Sequence, residues 1–267
     1  MQNDAVVCCI AKDEELYIVE WIKYHLKLGF SRIYIYDNNN NPQKLIHYLS
    51  NRLKNIHIKK KITVLTYPGK TVQNNAYRHF NTHYGHLHKW VAILDCDEFI
   101  VLKNWIPITQ FLNQVCKRGS VYLHWRVYGD NGHKHYSNEP VTKRFTACSE
   151  ELFHLGKSIS VCKHINTVVN PHSPVLKPKF LLHDCSGRIL TDYVDYSPQK
   201  QKFINFAYIN HYFGKSFEEW QHKKKRGKAD DVSVRTDAEF KNHNFNNVQD
   251  ASAWKFYIDP NLNFFTK

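Results

Sequence analysis

Two carboxylates one residue apart, Asp95 and Asp97, directly follow the apolar run Trp90-Val91-Ala92-Ile93-Leu94. Side chains alternate along an extended segment, so residues two apart point the same way. Two hard oxygen donors at one strand end suit Mg²⁺ or Mn²⁺, and such a cation bridges the phosphates of a ligand. An acidic pair also serves as a plain turn or helix cap, so its surroundings must decide. A second group of interest is Ile209-Asn210-His211-Tyr212-Phe213-Gly214-Lys215-Ser216. Here a neutral His211 imidazole suits Mn²⁺, the Lys215 ammonium suits a phosphate, and Gly214 lets backbone come close to it. An exposed lysine before a capped helix is the alternative for Lys215.

Strand and helix patterns alternate through the first hundred residues. Ala5 to Ile10 is a short continuous apolar run, as in a buried parallel strand. Acidic residues Asp13, Glu14 and Glu15 precede a helical stripe of Leu16, Val19, Ile22, Leu26 and Leu28, closed by Gly29. A second strand spans Arg32 to Tyr36 and ends at Asp37, before an Asn-rich turn and a helix near 43–53. A third strand at 62–67, a helix near 72–85 and the strand 90–94 follow. This order implies an α/β fold with a mostly parallel, doubly wound sheet, in which ligands bind beyond the carboxyl ends of strands. Asp13-Glu14, Asp37 and Asp95-Cys96-Asp97 all fall at that rim. The second half is less regular and reads as mixed. Strands are expected at 120–127, 141–145, 158–161, 180–183 and 206–212. A helix capped by Ser216, with Glu219 at the capping-box position, should run to Gly227. Polar sequence from Asp230 onward reads as a tail lying over the domain surface. No linker or repeat divides the chain, so 1–267 reads as a single domain.

Lysine and arginine total 37 against 24 acidic residues, a net charge of +13, which favours anionic partners. Part of that excess sits in Lys59-Lys60-Lys61 and Lys223-Lys224-Lys225-Arg226, runs that equally suit a solvated face. No zinc-finger, RRM or basic-zipper signature accompanies the charge, so no nucleic-acid partner is expected. The 7 cysteines form no CxxC pair and their number is odd, which points away from a zinc site or disulfide scaffold. With no apolar run long enough to span a bilayer and no signal-peptide pattern, the expected location is cytoplasmic, with at most peripheral membrane contact. Oligomeric state is not legible.

Lys12-Asp13-Glu14-Glu15, Glu20 to His25 and Leu28-Gly29-Phe30 resemble the opening of glycosyltransferase family 92 and related family 2-like enzymes. So do Tyr34 to Asn38, the block Trp90 to Phe99, Trp125 to Gly129, and His211-Tyr212 with Lys215-Ser216 and Lys224 to Gly227. These blocks keep their order from about residue 6 to 228. The resemblance implies a GT-A type fold, a nucleoside-diphosphate sugar donor (UDP-sugar favoured), a glycan or glycoconjugate acceptor, and Mn²⁺ or Mg²⁺. It assigns Asp95, Asp97 and His211 to the metal. Ala11, Asp37, Gln73, Asp95, Cys96 and Lys215 are assigned to the donor, with Asp37 near the ribose or base and Lys215 at the diphosphate. A donor half at about 1–100, an acceptor half at about 101–230 and a tail at 231–267 follow. Asp13 stands where relatives often have Asn, so it receives no contact.

An inverting course needs a carboxylate to deprotonate the acceptor hydroxyl. Asp130, in the Gly129–Gly132 turn, and Glu139, before Pro140, are the leading candidates, followed by Asp184 beside His183. Each is also an ordinary loop residue. Gln73, Asn74 and Asn75 either contact the donor or cap a helix, and Lys163-His164 either line the phosphates or lie at the surface. Two other readings compete. One is a non-catalytic polyanion or nucleic-acid binder, whose affinity would fall steeply with salt. The other, a phosphate-handling hydrolase, lacks a P-loop and a recognisable nucleophile.

Overall fold

The computed structural model describes residues 3–116, 118–194, 196, 198–228 and 232–265. Strands β1 (Ala5–Ala11), β2 (Arg32–Asp37), β3 (Ile62–Thr66) and β4 (Trp90–Ile93) alternate with helices α1 (Ile18–Lys27), α2 (Lys44–Arg52), α3 (Ile56–Lys59) and α4 (Gln73–His83). Then come β5 (Glu98–Leu102), α5 (Ile108–Val115), β6 (Gly119–Val127), α6 (Val141–Arg144), β7 (Ala147–Cys148) and β8 (Gly156–Val161). Short strands β9 (Ile165–Thr167), β10 (Val175–Leu176), β11 (Leu181–His183) and β12 (Ile189–Leu190) lead to β13 (Ala207–His211). The chain ends with α7 (Phe217–Arg226), α8 (Asp237–Asn242), β14 (Val248–Gln249) and α9 (Ser252–Ile258).

The main sheet runs β12-β11-β6-β8-β4-β1-β2-β3, with β13 bridging β6 and β5. β4, β1, β2 and β3 are parallel, and β8 enters antiparallel between β4 and β6. Strand alternation divides the core into two layers. Val7, Cys9, Ile33 and Ile35 face α1 and α2, while Val6, Cys8, Tyr34 and Tyr36 face α4. Strand order reverses at β1, between β2 and β4, and a sheet of this kind opens a crevice at such a point. Ala11 ends one of the two strands that flank it, and Asp95 lies two residues past the end of the other.

Local chemistry explains most boundaries. α7 begins in a full capping box: Ser216 accepts from the Glu219 N–H and Glu219 accepts from the Ser216 N–H. It ends at Gly227, whose φ of +82° few other residues adopt. The stretch 141–145, expected as a strand, is instead the helical turn α6. Glu20 on α1 accepts from Val141 N (2.6 Å), Thr142 N (3.1 Å) and Thr142 Oγ1 (2.6 Å), so a distant carboxylate caps it. Leu16 is 58% exposed and lies off the buried stripe assigned to it. The expected surface tail is partly core: Ala253 and Phe256 are buried, and Asp250 pairs with Arg126 at 2.9 Å. Asp230, where that tail was placed to begin, lies outside the described residues. No helix among the described residues is long and apolar enough to cross a membrane.

His25, fully buried on α1, links the fold to pH. Its Nδ1 lies 2.9 Å from the Trp21 carbonyl, which can only accept, so that nitrogen carries the proton. Nε2 is buried without a partner. Burial lowers the imidazole from an ordinary 6.5 to about 3. The unfolded chain therefore takes up this proton first. Stability is fully present above about pH 6.5 and falls as pH drops toward 3, by about 1.4 kcal/mol per pH unit per such group. Urea unfolding between pH 6 and 4 should show a slope shallower by about one proton in His25→Gln. An unchanged slope would refute a buried neutral His25.

Candidate active site

β4 delivers Asp95 and Asp97 to the crevice, and β13 delivers His211. A cavity of about 200 Å³ opens over them, with Gln73, Cys96, Trp125, Lys157, Lys223 and Arg226 among its lining. Asp95 is half-buried. Its Oδ1 accepts from Gln73 Nε2 at 3.1 Å and its Oδ2 from Lys157 Nζ at 2.8 Å. Asp97 is buried; its Oδ2 accepts from Lys223 Nζ at 2.6 Å, and its Oδ1 lies 3.8 Å from His211 Nε2. Burial works against both charges. Lys157 outweighs it at Asp95, and Lys223, which also donates a hydrogen bond, outweighs it at Asp97, so both carboxyls are held below the usual range.

Lys157 stands on β8 with a side chain only 1% exposed. Burial opposes its charge, but Asp95 and Glu98 raise its pKa on balance. The preceding Gly156 permits this approach, since a Cβ there would stand 2.0 Å from the Leu123 carbonyl on β6. Glu98 differs: burial pushes its carboxyl well above the usual range, with Lys157 offsetting only part. Its Oε2 accepts from Asp95 N at 2.9 Å, which helps to fix the acidic turn. Burial takes the Lys223 ammonium down to about 8, although Asp97 supports the charge. His211 is lowered to about 3, again chiefly by burial, so its imidazole is neutral.

These residues suit a divalent cation. A separation of 3.8 Å between Asp97 Oδ1 and His211 Nε2 is too wide for a hydrogen bond. An ion making bonds of about 2.1 Å to each donor fits that gap. Among the described residues, no three His, Cys, Asp or Glu side chains converge as a closed cage. Mg²⁺ commonly takes one or two carboxylates and completes its shell with phosphates and water, so an open donor pair is compatible.

The other expected site residues fall in three groups. Gln73 and Cys96 line the cavity with Asp95, Asp97 and His211. Ala11 and Asp37 lie beneath it: both are buried, and their neighbours Ile10, Lys12 and Asn38 do the lining. Asp37 Oδ1 accepts from Asn39 N (3.0 Å) and Asn39 Nδ2 (2.7 Å). Its Oδ2 is buried without a partner. Lys215 lines an adjoining cleft of about 380 Å³, its Nζ 4.4 Å from the centre of the Tyr17 ring. Its φ is +57°, a backbone state that costs a non-glycine residue on the order of 1 kcal/mol. Gly214 yields its space to Phe240, whose ring a Cβ would meet at 2.7 Å.

The structure brings neither leading base candidate to the cavity. Asp130 accepts from Gly132 N, Asn244 Nδ2 and Asn246 Nδ2, which makes it the organiser of its own turn. Glu139 is more than half exposed and paired with Lys143. Asp184 is sealed in a turn by Ser186 and Arg188, and the neighbouring His183 sits against Cys116. Asn74 donates to the Val169 carbonyl and Asn75 accepts from Arg78. Lys163 holds Lys177 through its carbonyl, and His164 stacks on Phe180 at 3.6 Å.

Sequence reading missed Lys157, Trp125 and His172 as lining groups, and it left Lys223 and Arg226 between surface and site. Helical spacing from the Ser216 cap was a usable signal for the last two, because they lie three apart on one face. No such signal marks Lys157, a lone lysine in a strand.

The family model described as glycosyltransferase family 92 matches residues 4–244. This chain belongs to glycosyltransferase family 92. A family 92 protein of Ricinus communis is 27% identical over 175 residues, covering 63% of this chain and 30% of that protein. Another from Oryza sativa subsp. japonica is 26% identical over 117 residues, covering 43% and 18%. The match thus spans under a third of these relatives. Among solved structures, S. aureus TarS 1–349 aligns with 14% identity and a TM-score of 0.36, covering 60% of this family 92 chain and 47% of that one.

Proposed function

We propose that this family 92 chain is a GT-A type glycosyltransferase that moves a sugar from a nucleoside-diphosphate sugar, UDP-sugar favoured, to a hydroxyl of a glycan or glycoconjugate. Mn²⁺ or Mg²⁺ is its cofactor. The observation that carries this reading is the cavity at the strand-order reversal, where Asp97 and His211 offer a donor pair inside a basic lining. Three carboxylates there, Glu14, Asp95 and Asp97, face six basic side chains: Lys12, Lys157, Lys223, Arg226, Lys228 and Arg235. Such a surplus suits a diphosphate more than a neutral ligand.

Asp97 and His211 would hold the cation, with Asp95 beside them, and the cation supplies Lewis-acid stabilisation of the leaving diphosphate. Gln73 and Lys157 fix Asp95. Lys223 and Arg226 place positive charge where the leaving group gains negative charge, an arrangement worth most in a site poor in water. The Trp125 indole offers a flat apolar wall for a sugar ring. An inverting course belongs to this proposal, and its base is neither Asp130 nor Glu139, which lie outside the cavity.

Thermal shift against a panel of nucleotide sugars, with and without Mn²⁺, tests the reading. Wild type should be stabilised by at least one nucleotide sugar more strongly with Mn²⁺, and Asp95→Ala should lose that response. No stabilisation in either protein would sink the transferase reading, and binding that falls steeply with salt and survives Asp95→Ala would favour a polyanion binder.

A further inference from the structure

Lys223 occupies a place that a cation would claim. Its Nζ lies 2.6 Å from Asp97 Oδ2 and 2.7 Å from the Phe213 carbonyl, and it also lines the cavity. The other Asp97 oxygen faces His211 Nε2 at 3.8 Å. One carboxylate therefore serves two claimants, an ammonium on one oxygen and the donor gap on the other. A divalent cation in that gap would stand a few ångström from the ammonium, where like charges repel strongly in a buried setting. Lys215 and Arg226 add positive charge nearby. The ammonium rides a flexible four-carbon stem on α7, and its exit leads into the cavity.

We propose that Lys223 is an exchangeable counterion: it neutralises Asp97 in the empty site and turns to the donor diphosphate when a divalent cation takes Asp97. This rests on the functional reading above and adds an order of events to it. Lys223 weakens cation binding in the absence of diphosphate and strengthens diphosphate binding once the cation is present. Cation and diphosphate must then favour each other's binding by one shared factor.

Mn²⁺ and inorganic pyrophosphate serve as probes. Free Mn²⁺ measured by electron paramagnetic resonance should show Lys223→Met binding Mn²⁺ alone about tenfold more tightly than wild type. Pyrophosphate should enhance Mn²⁺ affinity in wild type and lose most of that enhancement in Lys223→Met, while Lys223→Arg retains it. An independent measurement uses wild type only: amine labelling of Lys223, read by mass spectrometry, should rise with Mn²⁺ and fall when pyrophosphate is added. Equal Mn²⁺ affinity and equal enhancement in wild type and Lys223→Met, or labelling indifferent to both probes, overturns the exchange. If wild type binds Mn²⁺ and pyrophosphate cooperatively and only the Lys223 dependence fails, the exchange alone is lost. If wild type binds neither probe, the transferase reading falls with it.

Discussion

On the proposed function, replacing Asp97 by Asn should lower kcat/KM for sugar transfer by about 10²–10³-fold, the range expected when one pre-aimed electrostatic group is lost from a water-poor site. The amide keeps the shape but removes the charge that Lys223 and His211 face at 2.6 and 3.8 Å. Two effects must be separated. The proposed cation would lose its buried carboxylate, and Lys223 loses its partner, which destabilises the fold on its own account. The double variant Asp97→Asn/Lys223→Met resolves them. It should regain stability in urea unfolding relative to the single Asp97→Asn variant, yet stay as inactive in a transfer assay. Recovery of activity together with stability would show that Asp97 serves the fold and not the chemistry.

Arg144→Met costs about 3–5 kcal/mol, the range for removing one partner of a buried ion pair. Arg144 and Glu219 have side chains 1% and 3% exposed and meet through two hydrogen bonds of 2.8 and 2.9 Å. Glu219 also accepts from Tyr17 Oη at 2.9 Å and caps α7 through Ser216. The loss is therefore a stranded carboxylate at the start of the helix that carries Lys223 and Arg226. Urea unfolding at pH 7 measures it. Arg144→Met/Glu219→Leu should recover more than half of the loss, because the charge left behind is what costs most. A single-variant loss under about 1 kcal/mol would mean that water enters and solvates Glu219.

These two sites differ in how far the chain announces them. Asp95 and Asp97 are visible because a parallel core strand is a continuous apolar run and its end is abrupt. The alternation of β1 to β4 with helices is legible for the same reason, and α7 carries both its boundary signals, Ser216 with Glu219 at the start and Gly227 at the end. Asp130 and Glu139 misled because an acidic residue in a turn looks the same whether it faces a substrate or its own backbone. Only the fold shows Asp130 held by Asn244 and Asn246, more than a hundred residues away. The expected strand at 141–145 failed similarly: its apolar and basic residues permit either state, and Glu20 decides for the helical turn.

By itself, the sequence determined the α/β alternation, the acidic pair at a strand end, the His211 to Ser216 segment and the ordered blocks of family 92. Those features are local, set by backbone period, turn residues and capping groups within a few positions. Only the tertiary structure decided which charges meet. Lys157 reaches Asp95 across 62 residues and Lys223 reaches Asp97 across 126. An ion pair leaves no mark of its partner in sequence. It is strong only where burial removes water, and burial of those lysines is a property of the whole fold.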